Sequence, residues 1–172
     1  MAAAALVVVW AFATTGCSKS SRAATTEQMS STPTNSLTNS VKGDCGHAAC
    51  GNNFFVDVAA PASCAVDAPC GLTLTLVATG DYHINEEYPY KFEAEEAKGV
   101  TFLGTDPAGK NIFSKNASNW QKKDEKTGAM SVAFRGSERG DKAISGTFKL
   151  SVCAAERCQL EREAVSTTIA IR

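Results

Sequence analysis

The chain has 172 residues, with 17 Lys and Arg against 18 Asp and Glu and a formal net charge of −1. Acidic and basic residues interleave, so no basic stripe recommends nucleic acid or anionic lipid as the principal partner. No internal repeat, Gly-rich phosphate loop, Ser/His/Asp set or paired-carboxylate arrangement is visible, so neither a cofactor nor hydrolase or transferase chemistry is expected.

Residues 1–17 are an apolar run of Ala, Leu, Val, Trp and Phe that closes in Thr14-Thr15-Gly16-Cys17. The run is too short to span a bilayer stably and reads as a secretory signal. Its Gly-Cys ending resembles a bacterial lipobox. That resemblance implies lipidation of Cys17 and a membrane-anchored protein of the bacterial cell envelope facing the periplasm, on the inner or the outer membrane. The other expectation is a plain signal peptide cleaved nearby.

Residues 18–43 are Ser, Thr, Asn and Ala with scattered charges and almost no large apolar side chains. Such a stretch cannot build a core and is expected to be a flexible tether, with a mean reach of roughly 25–30 Å. Residues 44–172 are one domain's worth of chain, enough for a real core.

Within that domain the residues alternate with period two. Strands are expected at 54–58, 71–79, 90–94, 100–102 and 129–134. In the second, Leu72, Leu74 and Leu76 share one face while Thr73, Thr75 and Val77 share the other. Residues 104–126 read as a turn-rich polar middle with Ile112, Phe113 and Trp120 as inward anchors. The sole helical expectation is a turn near residues 94–98. Short strands separated by Gly, Pro and Asn predict an all-β fold, an antiparallel immunoglobulin-like sandwich.

The last stretch carries the chemistry. Phe148, Leu150 and Val152 alternate with Thr147, Lys149 and Ser151. A return run begins at Cys158 and carries Leu160, Val165, Ile169 and Ile171. Four residues, 154–157, join the two runs, so the spacing predicts a hairpin with Cys153 and Cys158 at the mouth of its turn. Opposed residues across a hairpin lie about 4.5–5.5 Å apart, close enough for a disulfide. A ring this short restricts the unfolded chain by only about 2 kcal/mol. A tip position beside Arg157 suits a pair that opens and closes, whereas Glu156 opposes thiolate formation. Both a structural clasp and a redox-exchanging pair follow from these residues.

Of seven cysteines, setting Cys17 aside leaves six, an even number behind an export signal, as expected in an oxidising compartment. They fall as Cys45 with Cys50, Cys64 with Cys70, and Cys153 with Cys158. Local pairing is the simplest connectivity, and a bond from the first pair to the second is the other candidate. The four upstream cysteines are expected to be structural. Cys45-Gly46-His47-Ala48-Ala49-Cys50 offers three soft ligands within six residues, but the spacing is non-standard for zinc and export favours oxidation, so no metal is assigned. His83 is expected to organise its loop rather than to act as ligand or base.

Three stretches together carry a wider likeness: Gly80-Asp81-Tyr82-His83-Ile84-Asn85-Glu86-Glu87-Tyr88-Pro89-Tyr90-Lys91-Phe92, then Gly99-Val100-Thr101-Phe102, then Gly146 through Cys153 to Cys158. In order and content they resemble the N-terminal periplasmic domain of the thiol:disulfide interchange protein DsbD and its relatives, over residues 53–172. The resemblance implies an immunoglobulin-like sandwich. It also implies that Cys153 and Cys158 form a catalytic pair that takes electrons from a thioredoxin-like or other envelope redox protein and passes them to oxidised periplasmic substrates. The expectation of a different class is a non-catalytic immunoglobulin-like binding or scaffold domain whose disulfides only stabilise it.

Overall fold

The computed structural model describes residues 45–172. The expectations for residues 1–44, namely the signal, the lipid-bearing Cys17 and the tether, lie outside the described residues. Among the described residues there are twelve strands: β1 (Ala49–Gly51), β2 (Phe54–Ala59), β3 (Ser63–Cys64), β4 (Pro69–Ala78), β5 (His83–Ile84), β6 (Lys91–Ala94), β7 (Val100–Phe102), β8 (Ile112–Ser114), β9 (Trp120–Lys122), β10 (Thr127–Gly136), β11 (Gly140–Cys153) and β12 (Cys158–Ile171). One sheet runs β1-β2-β4-β10-β7, with β9 also on β10; the other runs β3-β12-β11-β6-β8, with β5 also on β11. All pairings are antiparallel except the two-residue contact of β3 with β12. The domain is thus an all-β, immunoglobulin-like sandwich, as the alternation predicts.

The core is what period-two burial requires. Leu72, Leu74, Leu76 and Ala78 of β4 face Met130, Val132 and Phe134 of β10 within one sheet, and Phe148, Leu150 and Val152 of β11 close on them from the other. Phe113 and Trp120 are buried as inward anchors, whereas Ile112 is only half-buried. The polar middle contains two short strands, β8 and β9, absent from the period-two reading. The helical turn expected near residues 94–98 is absent: Ala94 closes β6 and residues 95–97 carry no regular structure. The connection from β6 to β7 instead turns at Lys98 and Gly99, where the Val100 N–H donates to the Ala97 carbonyl at 3.1 Å.

Candidate functional site

The hairpin of β11 and β12 is the longest pairing in the domain, in register from Gly140 with Ile171 to Cys153 with Cys158. At its tip the Ala154 N–H donates to the Arg157 carbonyl at 2.8 Å. Antiparallel pairs alternate between hydrogen-bonded and non-hydrogen-bonded. Cys153 and Cys158 therefore occupy a non-hydrogen-bonded pair, where strands approach most closely. Their Cα atoms are 4.0 Å apart and the side chains form a disulfide.

The two sulfurs have unlike surroundings. Both project from the outer face of the sheet, but Cys153 is 6% exposed while Cys158 is exposed. The asymmetry comes from β5, which adds to β11 on the side away from β12 and sets His83 in register with Cys153 and Ile84 with Val152. Between β5 and β6 the chain leaves the sheet at residues 85–90. Asn85 turns this excursion, its Oδ1 accepting from the Glu87 N–H at 2.9 Å, while its Nδ2 donates to Ser151 Oγ at 3.3 Å and lies 4.0 Å from Cys158 Sγ. The Tyr90 hydroxyl donates to the Ser151 carbonyl at 2.6 Å, and its buried ring stacks on Trp120 with centroids 3.9 Å apart. Burial pushes the Tyr90 phenol well above its ordinary range.

Arg157 does not point at the disulfide as a free cation. Its Nε donates to the Tyr82 hydroxyl at 2.6 Å, and its guanidinium lies 5.7 Å from the centre of the Tyr82 ring. Lys126 in turn donates from Nζ to the Gly80 and Tyr82 carbonyls at 2.5 and 2.6 Å, fixing the loop that carries Tyr82. On β12, Leu160 stands on the same outer face as Cys158, 66% exposed, instead of joining Val165, Ile169 and Ile171 in the core. Burial, followed by the neighbouring Glu161, raises the Glu163 carboxyl above its ordinary value on the inward face of the same strand.

The remaining cysteines pair locally. Cys45 bonds Cys50 with Cα atoms 6.5 Å apart, and Cys64 bonds Cys70 at 6.0 Å. The second bond joins β3 in one sheet to β4 in the other. The His47 ring stacks on Phe55 at 3.9 Å and its Nδ1 sits 2.8 Å from Asp57 Oδ1. Neither Tyr82 nor Asn85 is marked as a site residue by its type, and the apolar content of the return run does not by itself say which face Leu160 takes. Their roles depend on β5 docking beside Cys153, which two residues of local pattern do not announce.

No protein-family model matches the chain, and no curated protein matches it. Among solved structures it is similar to a cohesin module of a family 33 glycoside hydrolase from Clostridium perfringens, with 9% identity over 70% of this chain and 97% of that one, at a TM-score of 0.40. AggA, the major subunit of the aggregative adherence fimbriae type I of Escherichia coli, matches with 10% identity over 73% of this chain and all (100%) of that one, at a TM-score of 0.34. A PapD-like domain of human CEP192 matches with 12% identity over 68% and 83%, at a TM-score of 0.28. At these identities the likeness is one of fold.

Proposed function

We propose that this is a tethered, exported domain of the DsbD N-terminal type, whose Cys153–Cys158 disulfide exchanges electrons with thiols of envelope proteins. The observation that carries this reading is the unequal exposure of the two cysteines at one hairpin tip: Cys153 is a buried residue and Cys158 an exposed one. Exchange needs one accessible sulfur to be attacked and one held in place to leave and return. A partner thiolate attacks Cys158 Sγ; the Cys153–Cys158 bond breaks and Cys153 leaves with its electron pair, then takes a proton from solvent. A second thiolate of the partner attacks the partner's own sulfur in the mixed disulfide and releases Cys158. The partner ends as a disulfide and the domain gains two electrons and two protons; run in reverse, the same steps reduce an oxidised substrate.

Equilibration in glutathione buffers followed by alkylation and mass spectrometry tests this. The Cys153–Cys158 bond should open at a potential between roughly −120 and −270 mV, the range of exchange proteins, while the other two disulfides stay closed. A value below about −300 mV overturns the proposal and leaves the non-catalytic binding or scaffold domain. Lipid anchorage through Cys17 belongs to the same proposal. Metabolic labelling with a fatty acid should be lost in Cys17→Ser, and an unlabelled wild-type protein refutes that part.

A further inference from the structure

The backbone edge beside Cys158 is open among the described residues. Because Ala154 and Arg157 form a hydrogen-bonded pair, the odd-numbered residues of β12 bond to β11, and its even-numbered residues turn their N–H and C=O groups to the outer edge. The far end of the strand confirms this parity. There the Arg172 N–H donates to the Cys64 carbonyl at 2.9 Å, and the Arg172 carbonyl accepts from the Val66 N–H at 3.0 Å. β3 thus already uses this edge, but only beside Ala170 and Ile171. At Cys158, Leu160 and Arg162 no strand covers it among the described residues.

The same three residues present their side chains on the outer face. Cys158 supplies the reactive sulfur, Leu160 is the one exposed large hydrophobic among the described residues, and Arg162 is exposed. Among the described residues no carboxylate pairs with Arg162, while its cross-strand neighbour Lys149 is held by Glu93 at 2.7 Å. An antiparallel strand added here would meet Cys158 in a hydrogen-bonded pair, with Cα atoms about 5.5 Å apart, inside the range a disulfide spans.

We infer that the redox partner docks on this edge as an extended segment, adding as an antiparallel strand, with the pattern acidic residue, any, apolar residue, any, cysteine. Counting along the added strand, its cysteine opposes Cys158, the apolar side chain two positions earlier opposes Leu160, and the acidic one four positions earlier opposes Arg162. Main-chain bonds supply affinity and the alternate side chains supply selectivity, as in other cases of strand addition. The inference rests on the exchange reading above. The partner's thiolate forms the bond to Cys158 Sγ as the bond to Cys153 breaks, so docking and chemistry share one register.

Single-cysteine peptides test this. In the full chain carrying Cys17→Ser and Cys153→Ala, Cys158 is the one free thiol, and each peptide is offered as its mixed disulfide with thionitrobenzoate, whose coloured release gives the rate. A Glu-x-Leu-x-Cys peptide should react about tenfold faster than its Lys-x-Leu-x-Cys counterpart or one N-methylated at the Leu, the scale set by a cross-strand charge pair or a main-chain bond. Leu160→Ala should slow the peptide several-fold while leaving the rate with dithiobis(nitrobenzoate) unchanged. Because Cys153 is covered, the same peptides as free thiols on the intact disulfide, read by mass, give the check that does not depend on that substitution. Equal rates for all peptides with a normal small-reagent rate overturn strand docking and leave exchange standing. A Cys158 that resists the small reagent as well overturns both.

Discussion

Replacing Tyr90 by Phe tests how the tip is held. β6 pairs with β11 only from Gly146 to Lys149, and β5 resumes at Val152. Odd-numbered residues of β11 face this side, as the bond from the Glu95 N–H to the Ser145 carbonyl shows. The Ser151 carbonyl therefore falls in the gap between the two short strands, with the residue wholly buried at 0% exposure. The Tyr90 hydroxyl fills that gap at 2.6 Å. Phe keeps the ring on Trp120 and deletes the hydroxyl, leaving the buried Ser151 carbonyl without a partner at a cost of about 1–3 kcal/mol. For a domain of this size the cost lowers the thermal midpoint by roughly 4–11 °C. Urea unfolding should show the loss as a lower midpoint with an unchanged slope. Ser151→Ala, which removes only the longer 3.3 Å bond from Asn85, should cost less. Since burial holds the Tyr90 phenol above its ordinary range, Tyr90→Phe should also leave the alkaline titration of the native protein unchanged. A cost below about 0.5 kcal/mol, or one equal to that of Ser151→Ala, would mean that water reaches the carbonyl and that the excursion does not seal the tip.

Other outcomes follow from the same geometry. Burial and then Glu161 raise the Glu163 carboxyl, so the folded state binds that proton more tightly than the unfolded chain, and ionisation costs stability as pH rises from the unfolded value through the raised one. Glu163→Gln should raise the unfolding midpoint at neutral pH and leave it unchanged near about pH 3, below the unfolded value; a gain that persists at low pH would point to packing instead. A methyl group at Gly128 would run into the six-membered ring of Trp120, so Gly128→Ala should cost about 1–3 kcal/mol in a urea series, whereas a neutral result would mean the indole turns aside freely. Converting Cys64 and Cys70 together to Ala should cost roughly 2 kcal/mol or more. The same change at Cys153 and Cys158 should leave amide protection of the β11–β12 ladder intact, and loss of that protection would make the tip disulfide a structural staple.

The long strands were legible because each shows a full period of alternation against a buried face. The shortest strands were not, including β5 beside the site: β3 and β5 have two residues each and exist only because a long neighbour offers an edge. The face of Leu160 is readable from parity: it lies five positions from Val165, an odd interval that puts the two on opposite faces of a strand, and Leu160 is exposed while Val165 is buried. The cysteine pairing was ambiguous because spacing alone does not separate local from crossed connectivities; the bonds Cys45–Cys50 and Cys64–Cys70 are the local ones.

Ring size cannot single out a labile disulfide here. The three bonds span sequence separations of 5, 6 and 5, so chain entropy favours each by nearly the same roughly 2 kcal/mol. Their structural setting differs far more. Cys64–Cys70 ties one sheet to the other, and opening it leaves β3 with only its short ladder on the end of β12 and no covalent tie to β4. Cys153–Cys158 joins two strands that are already paired along their whole length, so the ladder keeps the two thiols adjacent after reduction. A bond whose loss leaves its own geometry standing can open and close without unfolding the protein, and among these three that condition is met best at the hairpin tip.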